Sequence, residues 1–426
     1  MISSDIQTLE QNFPEYMAKV KKNYGWNFLV IMLDSAFFTF SVTMLSQDTI
    51  IPYYITQLTA VQFLIGLVPA LYFLGYYLPQ LYGAYLVTGK PTRKGFIFWV
   101  AIFQRFCLLL IALLTQFLGL LTAPQALALL LLAFALYSFS SGLIMPAYND
   151  FISKTIIRRR GIFYGSMNGL GGLIGFGASL VATHYLGRFD FPENLRILFW
   201  IAFAASFISP FFIAAYREVP SPFKRIPEPL GHFLKSIPAH VRSAPGFSRF
   251  MLVRALLNLG LMANAFYSVY AISRYGLDES VLGILTMIIL ISQSAAGFIW
   301  GWMGDHFGFK VVYVISAVMV LLMGILAVSS AGAWVFYVIA GLIGASYAVS
   351  RTADANMVFE LTPPDETSRF VGIVNTFVAP VSTLGPLLGG LIVDLFTHQA
   401  LFWFVAALGV ASIILTAVYL PSRKPA

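Results

Sequence analysis

Charged side chains are scarce in this chain. Only 10% of its 426 residues are Asp, Glu, Lys or Arg, whereas 59% are hydrophobic. A soluble globular protein carries about 25% charged residues, so this scarcity excludes an ordinary water-soluble globular protein. The composition predicts a polytopic membrane protein whose main contact is with the lipid bilayer.

Cysteine and the short motifs of catalysis are also rare. Cys107 is the single cysteine, which excludes an internal disulfide and a cysteine-ligated metal cluster. The sequence contains no Walker phosphate loop, no HExxH and no GxSxG stretch, and its five histidines are scattered. We therefore expect no enzyme activity, no ATP-driven cycle, no metal site and no cofactor.

Long apolar runs, by contrast, recur along the whole chain. Each is about 20 residues long, which is enough to cross a hydrocarbon core of about 30 Å. We predict twelve membrane-spanning helices, spans 1 to 12, near residues 26–47, 61–86, 95–119, 125–148, 161–186, 196–216, 249–273, 281–303, 310–330, 334–358, 368–395 and 400–420.

The basic residues are distributed unevenly between the two sides of these spans. Of 26 Lys and Arg residues, 20 fall on the side of the chain ends, three on the other side (Arg188, Arg196 and Arg274) and three within spans. Basic residues gather on the cytoplasmic side of membrane proteins. We expect both chain ends in the cytoplasm and the protein in the plasma (inner) membrane. Topology and contact with anionic lipid explain the net charge of +8 better than nucleic-acid binding does.

A proline-rich connector divides the spans into two sets of six. Residues 217–249 contain six prolines and scattered charges, which is typical of a linker between domains. GSMN at 165–168 matches GIVN at 372–375, which indicates a duplicated unit. We predict two pseudo-symmetric six-helix bundles, at 26–216 and 249–421, joined by a cytoplasmic linker at 217–248. A cytoplasmic N-terminal segment at 1–25 and a cytoplasmic tail at 422–426 complete the chain.

One charged stretch interrupts the apolar pattern between spans 8 and 9. GWMGDHFGFK (301–310) contains Gly301, Asp305, Gly308 and Lys310 in a G-x-x-x-D-x-x-G-x-K/R pattern. This stretch resembles the signature loop of the major facilitator superfamily, and the resemblance covers essentially the whole chain. It implies a twelve-helix secondary transporter that works by alternating access, with Asp305 as a latch that breaks when the transporter turns inward.

The chemistry of this loop can also be derived from its residue types. Gly301 and Gly304 allow helices to approach closely, and Gly308 permits a tight reversal. Asp305 is suited to the positive N-terminal end of a neighbouring helix, which pseudo-symmetry predicts to be span 5; a plain turn is the alternative. The first half keeps Arg93 but lacks the aspartate, so we expect a one-sided latch.

Span 5 is rich in glycine. GSMNGLGGLIGFGASL (165–180) resembles the glycine-rich motif of antiporters in the same superfamily, without the usual proline. The resemblance implies efflux. Ordinary close packing of helices explains the glycines equally well.

Ionisable side chains within the spans are candidate functional residues, because a charge at mid-bilayer costs about 2.5–3.5 kcal/mol on insertion scales. Asp34 and Arg105 lie at similar depths in spans 1 and 3 and could form a structural pair; alternatively, Asp34 lines the cavity and carries a proton. In span 10, Arg351 and Asp354 share a helix face. Arg351 is the candidate to meet an anionic substrate or the Asp354 carboxylate, and a brace with Asp305 or Glu360 is the alternative.

Further polar groups complete the set of substrate or proton-coupling candidates. Amides can bind a polar solute or bridge two helices. The remaining candidates are Arg254, Asn258 and Asn264 in span 7, Gln293 in span 8, and the matching pair Asn168 and Asn375 in spans 5 and 11.

The sequence as a whole predicts a monomeric secondary transporter of a small molecule. Proton coupling through Asp34 or Asp354 is the expected drive, with uniport as the alternative. The substrate stays open between an amphipathic or drug-like molecule for export and a small anion or sugar. The rival functions are a lipid flippase, with Arg105 or Arg351 at a lateral opening, and a transporter-like receptor that does not transport.

Overall fold

The computed structural model describes residues 11–222, 231, 237–238, 241, 246–361 and 367–420. Within these ranges the secondary structure is helical, and twelve helices are long and apolar enough to cross a membrane. This confirms the predicted all-α membrane protein with twelve spans. The helices are α1a (Pro14–Thr43), α1b (Ile50–Leu58), α2 (Gln62–Val87), α3 (Lys94–Gln116), α4 (Ala123–Thr155), α5 (Arg160–Arg188), α6 (Glu193–Ala215), α7a (Phe247–Gly260), α7b (Asn264–Tyr275), α8 (Ser280–Phe307), α9 (Phe309–Ser329), α10 (Trp334–Leu361), α11 (Thr367–Leu395) and α12 (His398–Tyr419).

Local sequence signals set several of the helix ends. Thr122 and Gln125 form a capping box at the start of α4, in which each side chain accepts a hydrogen bond from the other's backbone N–H. Gly308 joins α8 to α9 with a φ of 85°, a conformation that a residue with a Cβ adopts only with strain. Large apolar side chains such as Trp99 and Phe298 are exposed on the outer surface, where they meet lipid instead of water.

The first helix of each bundle is interrupted, which the sequence prediction missed. Spans 1 and 7 were predicted as continuous helices at 26–47 and 249–273. In the structure, residues 44–49 separate α1a from α1b, and residues 261–263 separate α7a from α7b. The two breaks lie at corresponding places, so they follow the pseudo-symmetry of the fold.

The helices form two six-helix bundles. Helices α1 to α6 pack mainly with one another, and α7 to α12 do the same, which confirms the predicted architecture. The first bundle ends with α6 at Ala215 and the second begins with α7a at Phe247. Most of the predicted linker at 217–248 lies outside the described residues, so the domain boundaries stay a prediction.

Two helix pairs carry the main contact between the bundles, α2 with α11 and α5 with α8. We call the membrane face where α1a begins and α12 ends the terminal face, and the opposite one the distal face. On the distal side the helices meet closely: a Cβ at Gly66 of α2 would overlap the backbone of Pro386 in α11, and a Cβ at Gly283 of α8 would overlap Thr183 in α5.

Towards the terminal face the bundles separate. Gly172 of α5 still lies next to Ser294 of α8, but the positions where Gly165, Gly169 and Gly301 would carry a Cβ are open, with no described atom within 4 Å. Among the described residues, the space between the bundles is therefore closed at the distal face and open at the terminal face.

Candidate functional site

A buried carboxylate lies where the two bundles meet on the distal side. Asp48, in the break between α1a and α1b, accepts hydrogen bonds at Oδ1 and Oδ2 from the Tyr347 hydroxyl of α10, at 2.9 and 3.0 Å. Asn264 of α7b donates to the same hydroxyl at 3.0 Å, and Ser268 donates to the Asp48 carbonyl at 2.8 Å. Asp48 thus joins the first bundle to two helices of the second.

Two further hydrogen bonds close the distal face beside Asp48. The Thr49 and Thr286 hydroxyls are 2.6 Å apart. Because Thr286 donates to the carbonyl of Leu282 in its own helix, Thr49 is the donor between the bundles. Tyr53 of α1b donates to Glu279 at 3.1 Å. We call Asp48, Thr49, Tyr53 and their partners in the second bundle the distal gate.

A carboxylate also caps a helix across the interface between α2 and α11. The oxygens of Asp394, at the end of α11, accept hydrogen bonds from the backbone N–H groups of Gln62 and Phe63, at 2.9 and 2.8 Å. These are N–H groups at the start of α2 that have no partner within the helix, and a negative charge is favourable at this end. Asp394 thus makes, on the distal side, a helix-end contact of the kind predicted for Asp305.

Arg254 and Asp354 form an ion pair inside the second bundle. Arg254 Nε lies 2.8 Å from Asp354 Oδ2, and its Nη2 donates to Ser350 at 2.6 Å. The Tyr313 hydroxyl donates to the other Asp354 oxygen at 2.5 Å. The predicted contact of Arg351 with Asp354 is therefore wrong, because Arg254 from α7a takes that position.

Asp34 and Arg105 lie in one network inside the first bundle. The Arg105 guanidinium donates to Ser209 Oγ at 2.6 Å, and Ser209 donates to Asp34 Oδ1 at 2.5 Å. Tyr216 donates to the second carboxylate oxygen at 2.6 Å. The two charges are therefore linked through a serine and stay within one bundle, while a direct role for Asp34 in transport stays a prediction.

Arg351 differs from these buried charges because it is exposed. No acidic side chain within the described ranges pairs with it. It lies within electrostatic range of Tyr72 and Tyr76, which belong to α2 in the other bundle and stack with a centroid distance of 6.1 Å. A cation of one bundle thus lies near two phenol groups of the other. This arrangement can bind an anion with an aromatic or apolar body.

The predicted amides are in several environments. Asn264 belongs to the distal gate. Asn258 donates to the Arg254 carbonyl of its own helix at 2.8 Å and accepts from the Ser382 hydroxyl of α11 at 3.4 Å, so it bridges two helices. Gln293 is half-buried on α8. Asn168 is exposed and Asn375 is half-buried. Neither side chain forms a hydrogen bond with a described residue, so these two matching positions have no hydrogen bond in common.

Comparison with known proteins agrees with this geometry. A family model described as Major Facilitator Superfamily matches residues 250–426. Among solved structures, a nucleoside transporter NupG variant aligns over 93% of this chain and 100% of its own, with a TM-score of 0.74 and 15% identity. The human organic anion transporter MFSD10 aligns over 91% of this chain and 98% of its own, with a TM-score of 0.64 and 14% identity. These likenesses establish the fold.

The chain carries the family match over its second six-helix bundle. Among curated proteins, it is 26% identical to the multidrug transporter AQR1 of Candida glabrata over 153 residues, which is 35% of this chain and 26% of that protein. It is also 26% identical to citrate exporter 1 of Aspergillus niger over 145 residues, 34% of this chain and 28% of that one. The match thus spans little more than a quarter of these relatives. Both names are those of transport proteins.

The charged stretch at 301–310 forms the end of α8, the turn at Gly308 and the start of α9. Gly304 packs directly against the Phe309 ring, whereas the space beside Gly301 is open. Lys310 donates to the Ala417 carbonyl near the end of α12 at 2.9 Å, which suits the negative end of a helix. Asp305 is exposed in the last turn of α8, and its role as a latch stays a prediction.

The matching loop of the first bundle receives its carboxylate from another segment. Arg93 pairs with Asp150 of α4 at 2.7 Å, and Glu218, just after α6, accepts hydrogen bonds from the backbone N–H groups of Arg93 and Lys94 at 2.7 to 2.8 Å. Burial raises the pKa of the Glu218 carboxyl, although these N–H groups act in the opposite direction. The sequence showed that the aspartate is missing, but not that Glu218 supplies the negative charge.

Proposed function

We propose that this protein is a secondary transporter that moves a small solute by alternating access between its two bundles. The observation that carries the proposal is the interface itself, which is closed by the distal gate and open at the terminal face. Reversing that arrangement breaks contacts between the bundles but leaves the Arg254–Asp354 and Asp34–Arg105 networks intact, because each of them stays within one bundle.

The proposed substrate is a small organic anion with an apolar or aromatic part. Arg351 supplies a positive charge that no described acidic group neutralises, and Tyr72 and Tyr76 supply aromatic surface opposite it. Such a site would discriminate against neutral analogues, because a hydrogen bond to a charged group contributes about 1.5–3 kcal/mol. The names of the citrate exporter and the organic anion transporter support this class of substrate.

The proposed direction is export from the cytoplasm, driven by protons, by a monomer in the plasma membrane. The basic residues support a cytoplasmic terminal face, so the described conformation would be open to the cytoplasm. Two curated relatives are a multidrug transporter and an exporter, which supports efflux. A proton gradient is the proposed energy source because the chain contains no phosphate-binding loop for ATP.

Flux into proteoliposomes tests the proposal. We expect labelled citrate or an aromatic carboxylate to move faster when a pH gradient is imposed, and its neutral amide analogue to move poorly. Arg351→Ala should lower the transport efficiency at least about tenfold through a higher KM, because it removes a charged hydrogen-bond donor; Arg351→Lys should retain part of it.

Arg274→Ala is the matched control, because Arg274 is an exposed arginine at the end of α7b on the distal side. It should leave flux unchanged. Equal transport of anions and neutral analogues by the wild type, or an Arg351→Ala variant with wild-type kinetics, would contradict the proposed substrate site.

A further inference from the structure

The distal gate contains a carboxylate that the sequence prediction did not include. Asp48 is buried, and its contacts with Tyr347 and Ser268 both reach the second bundle. Because α1 and these two partners belong to different bundles, the contacts must break when the distal face opens. Asp48 is therefore buried in protein in one state and exposed to distal water in the other.

The closed gate offers little stabilisation to an ionised Asp48. No Lys, Arg or His within the described ranges pairs with it. The titratable groups that face it are Tyr347 from α10 and Tyr267 from α7b, and both are phenols. The helices α8 and α10 add apolar side chains to the same small cavity, which are Leu285, Ile289, Phe336, Ile339, Ala340 and Ile343. An ionised carboxylate without a cation is costly in such surroundings, and a neutral carboxyl is not.

Buried polar atoms beside Asp48 lack hydrogen-bond partners among the described residues: the Tyr267 hydroxyl, and two amide oxygens that can only accept. Asn264 Oδ1 and Gln47 Oε1 are buried and accept no hydrogen bond from any described residue. Asn264 binds the same tyrosine hydroxyl that contacts Asp48, and Gln47 is the residue before Asp48 in the chain. A protonated Asp48 supplies one O–H donor in this region, which an ionised Asp48 does not.

We propose that Asp48 is a proton-binding gate residue whose neutral form closes the distal face. When the face is open, a carboxylate oxygen of Asp48 takes a proton from hydronium in the distal water and forms an O–H bond, which leaves water. The neutral side chain is then buried against Tyr347; on opening, the O–H bond breaks and the proton returns to the distal water, so this step controls the gate and moves no proton across the membrane. Proton binding thus favours the step that turns an empty exporter back towards the cytoplasm.

This inference rests on the proposed function in one respect, since it requires a distal face that opens. The proton that drives export stays a separate prediction for Asp34 or Asp354, each of which is held by partners within its own bundle.

The rate of thiol labelling reports how often the distal gate opens, and the measurement needs no substrate. Cys107 is the only cysteine, so Cys107→Ser gives a cysteine-free background, and Thr286→Cys adds a reporter that is buried in the closed gate. In lipid nanodiscs, the rate of reaction with a polar thiol reagent, corrected for the pH dependence of the thiol itself, reports opening. We expect this rate to rise at least about tenfold from about pH 5 to about pH 8, the change that one unit of pKa difference between the two states produces.

Variants at Asp48 decide the outcome. Asp48→Asn should label slowly at every pH, because its side chain is always neutral, and Asp48→Glu should restore the pH dependence with a shifted midpoint. Tyr53→Phe is the matched control: it removes a gate hydrogen bond without removing a carboxylate, so the pH dependence should persist. All proteins are first checked for a single symmetric peak in size-exclusion chromatography.

Two results would overturn the inference. One is a labelling rate in Asp48→Asn that depends on pH as in the protein with Asp48; the other is a corrected labelling rate in the reporter protein that does not change with pH. Neither result depends on which solute is carried. A failure to transport organic anions would contradict the proposed substrate while leaving the labelling result intact, so the two failures are distinguishable.

Discussion

The Arg254–Asp354 pair shows how an ionised side chain is stabilised inside this membrane protein. Both groups are held by neighbours, Arg254 by Ser350 and Asp354 by Tyr313. A buried pair of this kind gives little net stability compared with apolar residues, but removing one partner leaves the other charge uncompensated.

We therefore expect Asp354→Asn to lower the free energy of unfolding by about 3–5 kcal/mol. Denaturant unfolding in detergent micelles measures this. The double variant Arg254→Met with Asp354→Leu should recover most of the loss, because no charge is left unpaired. Asp190→Asn, at an exposed aspartate, should change the value by less than about 0.5 kcal/mol. A similar loss in the single and the double variant would show that packing, not charge, sets the cost.

At this scale the sequence identified individual charges but not their partners. Asp34, Arg105, Arg254 and Asp354 were predictable because an ionisable residue in an apolar run is conspicuous. Their pairing was not predictable from the sequence. Arg254 and Asp354, for example, are 100 positions apart and come together only in the folded bundle. Asp48 was missed because it lies one residue beyond the predicted end of span 1, in a polar stretch typical of a helix end.

The start of α3 shows how one segment of the chain supplies what another lacks. Glu218 lies at the beginning of the connector between the bundles, and both of its oxygens accept from the first N–H groups of α3. A carboxylate at this position satisfies unpaired donors and favours the positive end of the helix. The connector is thereby attached to the first bundle.

Glu218→Gln should therefore lower the free energy of unfolding by about 1 kcal/mol, the usual contribution of a helix cap, and should speed amide hydrogen exchange at the start of α3. Glu193→Gln is the matched control. Glu193 pairs with Arg196 three residues along α6, and both side chains are substantially exposed, so its loss should be about 0.5 kcal/mol or less. Unchanged exchange in α3 of Glu218→Gln would contradict the capping role.

The helices themselves were largely predictable, and their interruptions were not. Apolar length set the twelve spans, because a helix that crosses lipid needs about 20 apolar residues. The breaks at 44–49 and 261–263 depend on contacts made across the bundle interface, such as Ser268 with the Asp48 carbonyl. Hydropathy does not report such contacts.

The whole molecule is two bundles joined at one face. Glycines in α2, α5, α8 and α11 allow close contact on the distal side, and the same helices separate near the terminal face. The hydrogen bonds of the distal gate connect the bundles, while the strongest charged networks lie within them. The central claim is that the distal gate must open and close in each transport cycle.

A reversible cross-link across the distal gate tests this claim most directly. The Thr49 and Thr286 hydroxyls are 2.6 Å apart, close enough for Thr49→Cys and Thr286→Cys to form a disulfide in the Cys107→Ser background. We expect oxidation to stop flux in proteoliposomes and a reductant to restore it, with each single-cysteine variant unaffected by either treatment. Undiminished flux through the fully cross-linked protein would contradict the account.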